Sequence, residues 1–490
     1  MPYTRLLAAA AALAATTFAP AQILDWIAPP GETILDTDSM TLQPTTGPAI
    51  RVTGGVFVFR HVTIPAGCTV VGRGSRAMVW ITETMTVDGR LSVDGGDGER
   101  VVTIQSPGVP AMGGRGGAAG GDGGRGSPQV ALRSLSGQPG NGPGNVPGLG
   151  GGGGLLGNPV LGRGSGGGGG GFATSGDPWF KVPAGTGSAF VQRSGIGGFG
   201  GPGDSGTAGR TLVGGGPGGV WFVDSRDDND FFGVGFDFAS NQVVVGELTE
   251  LIGGAGGGGG GDLADDTQLL GPGWTQDRKG GGGGGGGGCL VVFAANDIVV
   301  GPLGRITANG GNGGSGEQGF MSAGPVNAGG GGGAGGLLLL IALGSIDLTV
   351  KGGTYANSDF DFVLSADGGI CTTTSFPPAV ILNKYQSLPF GAGNYANAYD
   401  QAPLGGFGGL GIVQLAAPAG SNQDGTNTVL DDNIVLRHNG VPLTGAQKQA
   451  YLAWRGYRNA QGVLVDDFGA PTGIGGNEGD IRPAPVLLRL

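Results

Sequence analysis

Charged side chains are scarce in this chain, and acids outnumber bases. Charged residues make up 13% of the sequence, with 26 Lys and Arg against 37 Asp and Glu and a formal net charge of −11. The usual charged share is about a quarter. Binding to a nucleic-acid backbone or to an anionic lipid surface requires clustered Lys and Arg. The balance therefore excludes nucleic acid as an expected partner.

Cysteine and histidine, the usual zinc ligands, are also rare. The chain has three cysteines and two histidines. No C-x-x-C pair occurs, so we expect no structural zinc site. Cys68, Cys289 and Cys371 are widely separated. An exported protein can join two of them in a disulfide, but the spacing leaves the pairing open.

The one long hydrophobic run lies at the N-terminus. Leu6 to Phe18 is largely apolar, Arg5 precedes it, and Ala19-Pro20-Ala21 forms a small-residue A-x-A site. This is the pattern of a secretory signal peptide, which we predict for residues 1–21. The next apolar run, residues 337–343, is too short to span a membrane. We therefore expect an exported protein, secreted or held at the cell surface, with no transmembrane segment after signal cleavage.

Common signatures of catalysis are missing as well. No serine has glycine at both −2 and +2, and neither Lys279 nor Lys351 is followed by Ser or Thr. The nucleophile elbow and the phosphate-binding P-loop are therefore absent. Asp94, Asp97 and Arg100 would serve carbohydrate cleavage only if they lined a groove. We predict no catalytic residues and keep a polysaccharide-acting lyase or hydrolase as an alternative.

One acidic segment has the composition of a calcium loop. Asp224, Asp227, Asp228 and Asp230 lie within seven residues, and Ca²⁺ prefers several carboxylate and carbonyl oxygens from one flexible loop. The segment lacks the glycine and glutamate positions of an EF-hand. It is read either as a weak calcium site or as a solvated loop, and calcium is the only cofactor that the sequence suggests.

Glycine is the residue present in excess. The chain contains 117 glycines in 490 residues, against a usual share of about 7%. They are concentrated in tracts between short Val-, Ile- and Leu-rich segments. Two interpretations stay open: flexible solvated loops, or tracts that pack together as extended threefold helices because only glycine lets backbones approach so closely.

A heptapeptide recurs at three places. Residues 90–96, 305–311 and 363–369 each form a short alternating segment that ends in Asp or Asn followed by two glycines. We expect a sharp turn there, because Asn, Asp and Gly tolerate a positive φ. Such units of two or three short strands predict an all-β parallel β-helix, in which the heptads stack at one corner. The alternative fold is a β-sandwich or jelly roll with long loops.

The ends of the chain differ in composition from its middle. After the signal peptide at 1–21 we expect an N-terminal cap at 22–50, the β-helix with glycine-rich inserts at 51–420, and a C-terminal cap region at 421–490. Residues 445–455 have the pattern of a short helix, with a threonine before the first turn.

The segments Gly54–Phe59, Val62–Gly67, Met85–Gly96 and Gly409–Leu415 resemble a group of exported, glycine-rich bacterial proteins with a pectin-lyase-like parallel β-helix. The resemblance spans roughly residues 50 to 420. It implies a right-handed β-helix at or outside the cell envelope, and it brings no activity or catalytic residues.

From these observations we expect a non-enzymatic structural or adhesive protein of the cell envelope or extracellular matrix. Its expected partners are surface glycans or other envelope proteins. A calcium-binding surface module remains a second alternative, beside the polysaccharide-acting enzyme.

Overall fold

The computed structural model describes most of the strand-rich segments and many of the glycine tracts. The described residues are 24–101, 109–128, 136–154, 166–173, 231–237, 242–261, 279–316, 329–350, 363–369, 405–406, 408–418, 433–438, 440–443, 457–458, 464–465 and 486–489. Within them the structure is all-β, and its one helical element is a 3₁₀ turn at Pro143–Asn145. The predicted helix at 445–455 lies outside the described residues.

The described strands are short, each of them two to six residues long. In chain order they are β1 (Trp26–Ile27), β2 (Gly31–Asp36), β3 (Ser39–Leu42), β4 (Ile50–Thr53), β5 (Val56–Val58), β6 (His61–Ile64), β7 (Cys68–Arg73), β8 (Met78–Thr82), β9 (Thr84–Val87), β10 (Arg90–Ser92), β11 (Val234–Asp237), β12 (Gln242–Val245), β13 (Cys289–Ala294), β14 (Ile298–Val300), β15 (Arg305–Thr307), β16 (Leu337–Ala342), β17 (Ile346–Val350), β18 (Leu364–Ser365), β19 (Ile412–Ala417), β20 (Ile434–His438), β21 (Val441–Pro442), β22 (Tyr457–Arg458), β23 (Leu464–Val465) and β24 (Val486–Arg489).

Three sheets contain 18 of these 24 strands, and their pairing is parallel except at β20–β21. Sheet 1 has the order β1-β6-β9-β14-β17-β20-β21, sheet 2 the order β18-β15-β10-β7-β2, and sheet 3 the order β24-β19-β16-β13-β8-β5. The chain visits the sheets in rotation: β5, β8, β13 and β16 lie in sheet 3, and each is followed by one strand in sheet 1 and one in sheet 2. Consecutive visits to a sheet therefore pair with each other.

The three repeated heptapeptides lie side by side in register, as predicted. Leu91 is paired with Ile306, and Ile306 with Leu364, across β10, β15 and β18 of sheet 2. Their Asp or Asn residues stack as well: the side-chain oxygen of Asp94 accepts the Asn309 N–H at 2.6 Å, and that of Asn309 accepts the Asp367 N–H at 2.9 Å. Identical positions of the repeat thus form a ladder.

One buried apolar cluster connects the three sheets. It includes Trp80 and Leu290 from sheet 3, Met85 from sheet 1, and Leu91 and Ile306 from sheet 2, each with no exposed surface. Every second residue of these strands points to this cluster, which is the period-2 pattern of a half-buried strand. Each repeat therefore buries the apolar face of its strands in this one cluster.

The middle strands of sheet 3, β13, β16 and β19, are buried on both faces, which explains their largely apolar sequences. Every residue of β13 and β16 is buried, as parallel strands covered on both sides require. A second cluster with Phe172, Phe231 and Phe232 covers the face opposite the main core. The side chain of Gln414 in β19 exchanges two hydrogen bonds with the backbone of Phe232, at 2.8 and 3.0 Å. The glycine-rich inserts therefore fold back over sheet 3.

The glycine tracts form a packed bundle of extended chains, which we call the glycine bundle. Twelve described tracts belong to it: 94–101, 111–118, 119–127, 136–142, 150–154, 166–171, 253–261, 279–288, 308–315, 329–336, 366–369 and 405–411, the last without residue 407. The tracts 253–261, 279–288 and 329–336 hydrogen-bond to one another and lie at its centre, and the other nine surround them. Packed tracts, rather than solvated loops, are therefore the correct interpretation for these residues.

Backbone hydrogen bonds hold the bundle together. Each residue from 282 to 287 donates one backbone hydrogen bond and accepts one, with N···O distances of 2.7–3.1 Å. The acceptors repeat every third residue: Gly282 and Gly285 donate to tract 94–101, and Gly283 and Gly286 donate to tract 119–127. A period of three with no hydrogen bonds inside the chain is that of the polyproline II conformation. All the buried backbone groups of this segment are paired, as burial requires.

The bundle leaves no room for side chains between its tracts. A Cβ added to Gly284 would lie 1.9 Å from the backbone oxygen of Gly311, and one on Gly283 would lie 2.1 Å from that of Gly257. This requirement corrects the predicted turn after each heptapeptide. None of the glycines that follow Asp94, Asn309 and Asp367 has a positive φ. The chain continues in an extended conformation, and glycine is needed there because backbones touch.

The expected cap segments contribute to the sheets as well as to the ends. Within 22–50, β1 pairs with β6 and β2 with β7. The antiparallel hairpin β3–β4 places Leu42 and Val52 in the main core. At the other end, β24 pairs in parallel with β19. Both termini of the described chain are therefore joined to the repeats.

Cys68 and Cys289 are both buried and carry free thiols, so no disulfide joins them. Burial raises the pKa of the Cys289 thiol far above its ordinary value. Cys371 lies outside the described residues. None of the described residues forms a helix with the length and hydropathy of a membrane span.

Replacing Gly284 by alanine should abolish or severely reduce stability, because its Cβ would meet a backbone atom that belongs to another hydrogen-bonded tract. We expect the free energy of unfolding to fall by more than about 3 kcal/mol, the upper end of typical overpacking effects. Gly96→Ala is the matched control, since its Cβ would lie 3.3 Å from the nearest atom, the Arg115 nitrogen. Urea unfolding that ranks the two variants equally would contradict this packing.

The ion pair between Asp25 and Arg60 should make the N-terminal end sensitive to acid. Arg60 Nε and Nη2 donate to the two Asp25 oxygens at 3.0 and 2.8 Å, and this bonding lowers the pKa of Asp25. A lowered pKa contributes stability above the unfolded value, and the contribution is lost as the pH falls below about 3.8. The difference in melting temperature between wild type and Asp25→Asn should therefore shrink between about pH 5 and pH 2.

Arg60→Gln should remove the same acid dependence, because it takes away the partner of the same carboxylate. A difference that stays constant with pH would show that the pair does not stabilise the fold.

Candidate functional site

The surface of the glycine bundle carries side chains at every third residue. Met112, Arg115 and Ala118 are separated by pairs of glycines in one tract, and Asp122 and Arg125 in the next. Because the tracts repeat every three residues, Met112 and Arg115 share one side of their tract, and Asp122 and Arg125 share one side of theirs, and both of these sides face away from the central tracts. Ala118, at the end of its tract, is instead buried in the main core. Met112, Arg115 and Arg125 are exposed, and Asp122 is half-buried. We call the outward side of the tracts 94–101, 111–118, 119–127 and 136–142 the peripheral face.

Hydrogen bonds between the tracts fix which side chains are neighbours on this face. Gly123 and Gly126 donate to Gly114 and Ala111, so tracts 111–118 and 119–127 are antiparallel. This register places Arg115 level with Asp122, and Met112 level with Arg125. On the next tract, Gln138 donates its backbone N–H to the Arg125 oxygen. Side chains therefore form transverse rows across the bundle.

The acidic side chains of the peripheral face are occupied by backbone donors. Asp97 Oδ1 accepts the Asn312 N–H at 2.7 Å, and Glu99 Oε2 accepts the Met112 N–H at 2.7 Å. Asp122 Oδ1 accepts the Gly116 N–H at 2.8 Å. At the periphery some backbone donors point away from the bundle, and these carboxylates satisfy them. The acids thus accept backbone hydrogen bonds at the edge of the bundle, where no described neighbouring tract supplies an acceptor.

Asn145 ties the peripheral tracts together. Its Oδ1 accepts the Asp122 N–H and one Nδ2 hydrogen of Asn141, both at 2.8 Å, and its Nδ2 donates to Asp122 Oδ2 at 3.1 Å. Asn145 has a φ of 61°, a left-handed conformation that asparagine tolerates better than most residues. The turn between tracts 136–142 and 150–154 is therefore held by a network of side-chain amides.

The two arginines of the face have no such partner. Within the described part of the chain, no hydrogen bond or ion pair engages the guanidinium of Arg115 or Arg125. Each guanidinium is exposed and presents a planar fork of N–H donors. The peripheral face therefore offers cationic donors whose nearby acids are already occupied.

A third arginine lies beneath this face. Arg73 Nη1 donates to the backbone oxygens of Asp94 and Gly116. Burial lowers the pKa of Arg73, Asp94 and Glu32 oppose that shift, and the charge of Arg115 adds to it. The charges of Arg73 and Arg115 thus repel each other, while Asp94 and Glu32 offset part of the charge of Arg73.

The site residues predicted from the sequence lie partly inside and partly outside the described part of the chain. Asp224, Asp227, Asp228 and Asp230 lie outside the described residues, and so nothing places them relative to one another. The described residues contain no group of three or more His, Cys, Asp or Glu side chains arranged for a metal ion.

The residues considered for carbohydrate cleavage belong to the ladder between tracts. Asp94 accepts the Asn309 N–H and, at 2.9 Å, the hydroxyl of Thr307, and Arg90 donates to it. Asp97 is bound to the next tract in the same way. These carboxylates serve the backbone of neighbouring repeats.

Sequence reasoning missed the peripheral face, although a signal for it exists. The triplet X-Gly-Gly occurs twice in succession from Met112, again from Ala119 and again from Asn309. A spacing of three between non-glycine residues predicts that they share one side of a threefold helix. Because glycine is abundant in many parts of the chain, this local period of three does not stand out in the composition.

Comparisons with known proteins add nothing to this geometry: no family model matches the chain, and neither a curated protein nor a solved structure is significantly similar to it.

Removing the Asp94 side chain should destabilise the ladder between repeats. In Asp94→Ala the buried N–H of Asn309 loses its acceptor, which costs about 1–3 kcal/mol. Asp94→Asn keeps a side-chain oxygen, as Asn309 does in the next rung, and should cost less than about 1 kcal/mol. Chemical denaturation measures both, and equal losses would mean that the acceptor is unimportant.

Proposed function

We propose that this chain is an exported, non-enzymatic adhesive or structural protein of the cell envelope or extracellular matrix, whose glycine bundle binds surface glycans. The observation that carries the proposal is the hydrogen-bonded bundle itself, which fixes a row of exposed polar side chains on a rigid backbone. The predicted signal peptide at 1–21 supplies the route of export.

The same proposal includes the finer description of the fold. We interpret the three parallel sheets as the faces of a right-handed β-helix, consistent with the resemblance to exported glycine-rich bacterial proteins. The in-register pairing of β10, β15 and β18 and the ladder of Asp94, Asn309 and Asp367 support a coil of three strands per turn. Each turn then directs its glycine insert to one side, where the inserts meet as the bundle.

Rigidity is what suits the bundle to glycan binding. Sugars present many hydroxyl groups and little apolar surface, so their affinity depends on hydrogen bonds that are formed without ordering the protein first. A side chain fixed on a hydrogen-bonded tract loses less freedom on binding than one on a mobile loop. Gln138, Arg115 and Arg125 are exposed donors of this kind.

Purified chain 22–490 should bind one or more immobilised polysaccharides and release no soluble sugar from them. Met112→Ala combined with Gln138→Ala should weaken binding about tenfold, the effect of losing roughly 1.4 kcal/mol of contact energy. Leu303→Ala is the control, because Leu303 is a 53% exposed apolar residue in the turn between β14 and β15.

Two results would overturn the proposal. Release of reducing sugars would favour the polysaccharide-acting enzyme. Failure to bind any glycan on a broad array, by a chain whose melting temperature shows that it is folded, would exclude adhesion through sugars.

A further inference from the structure

We infer that the peripheral face is a binding site for polysaccharides that carry isolated carboxylate groups, such as polymers of uronic acid, with Arg115 and Arg125 as its anchoring residues. The inference rests on the proposed function and deepens it, because it names the chemical class of the glycan. It derives from two features of the face: its acidic side chains already accept hydrogen bonds, and its two arginines, which have no partner among the described residues, have a fixed spacing.

Hydrogen bonds already engage the acidic side chains of the peripheral face. Asp97, Glu99 and Asp122 each accept a backbone N–H of a neighbouring tract, and Asp122 also accepts the side-chain amide of Asn145. These hydrogen bonds fix the carboxylates in place and favour their ionised form, and none of the three pairs with Arg115 or Arg125. Within the described part of the chain, the two guanidiniums therefore keep all their N–H donors for a ligand.

The register of the tracts sets the distance between the two arginines. Arg115 is level with Asp122 on the adjacent tract, and Arg125 follows Asp122 by three residues. The two arginines are offset by one threefold turn along the tract axis and by the width of one tract across it. These offsets place their Cα atoms about 10 Å apart. Both side chains leave the bundle on the same side. Each can form a paired, bidentate contact with one carboxylate.

The number and spacing of the two arginines favour one class of acidic polymer. Nucleic acids carry one phosphate for about every 3.4 Å of each strand, and their binding draws on many clustered basic residues. Two arginines about 10 Å apart on a chain of net charge −11 suit a polymer with sparse charges. The planar guanidinium fork also matches a carboxylate. Neutral hydroxyls between the charges can contact Gln138, which lies beside Arg125.

The experiment compares binding of the chain 22–490 to immobilised alginate, dextran sulfate, neutral dextran and duplex DNA. Alginate should be bound most tightly, and its binding should weaken as salt is raised, because exposed charges are screened. Arg115→Gln and Arg125→Gln should each reduce alginate affinity about tenfold. Arg51→Gln is the matched control: Arg51 is an exposed arginine on β4, away from the bundle, and its replacement should have no effect.

The outcomes separate this inference from the proposed function. Equal binding to dextran and alginate, unaffected by the two arginine variants, would overturn the inference and leave a neutral glycan as the partner. Preference for dextran sulfate or DNA would overturn the carboxylate assignment, and an equal loss in Arg51→Gln would show a general charge effect. If none of the polymers is bound, and a broad glycan array is also negative, the proposed function fails too.

Discussion

The structure depends on direct hydrogen bonding between the backbones of glycine tracts. In an ordinary core, apolar side chains fill the space between elements. Here the tract 279–288 has six neighbouring tracts, and a Cβ on its glycines would overlap their carbonyl groups. Ordering glycine costs more backbone entropy than ordering any other residue. Complete pairing of the buried N–H and C=O groups is what offsets that cost, since each net hydrogen bond contributes about 0.5–1.5 kcal/mol.

The sheets supply the alignment that the bundle needs. Tract 279–288 continues directly into β13, and tract 329–336 into β16, while β10 and β15 lead into tracts 94–101 and 308–315. Because β13 and β16 are already paired residue by residue, the tracts that precede them start in register. A glycine-rich chain has no side-chain pattern to select its register, so the apolar strands select it. The glycine inserts and the parallel sheets therefore form one cooperative structure.

Much of the strand arrangement could be predicted from the sequence, whereas the lateral order of the glycine tracts could not. The repeated heptapeptides at 90–96, 305–311 and 363–369 predict parallel stacking because equivalent residues recur in equivalent order, and the structure pairs them. The same residues misled on local conformation, since Asp-Gly-Gly is a common turn sequence and its glycines are here required for close approach. The lateral order of the tracts depends on contacts between residues more than a hundred positions apart, such as Gly283 with Gly124. No local pattern in glycine encodes such contacts, so the order of the tracts around tract 279–288 could not be predicted.

Amide hydrogen exchange of residues 282–287, measured beside that of β13, tests the central claim most directly. If the tracts form a hydrogen-bonded bundle, these glycine amides will be protected to nearly the same degree as the amides of β13, because both open only with the whole unit. Exchange of the glycine amides at the rate of an unstructured peptide, while β13 stays protected, would contradict the account.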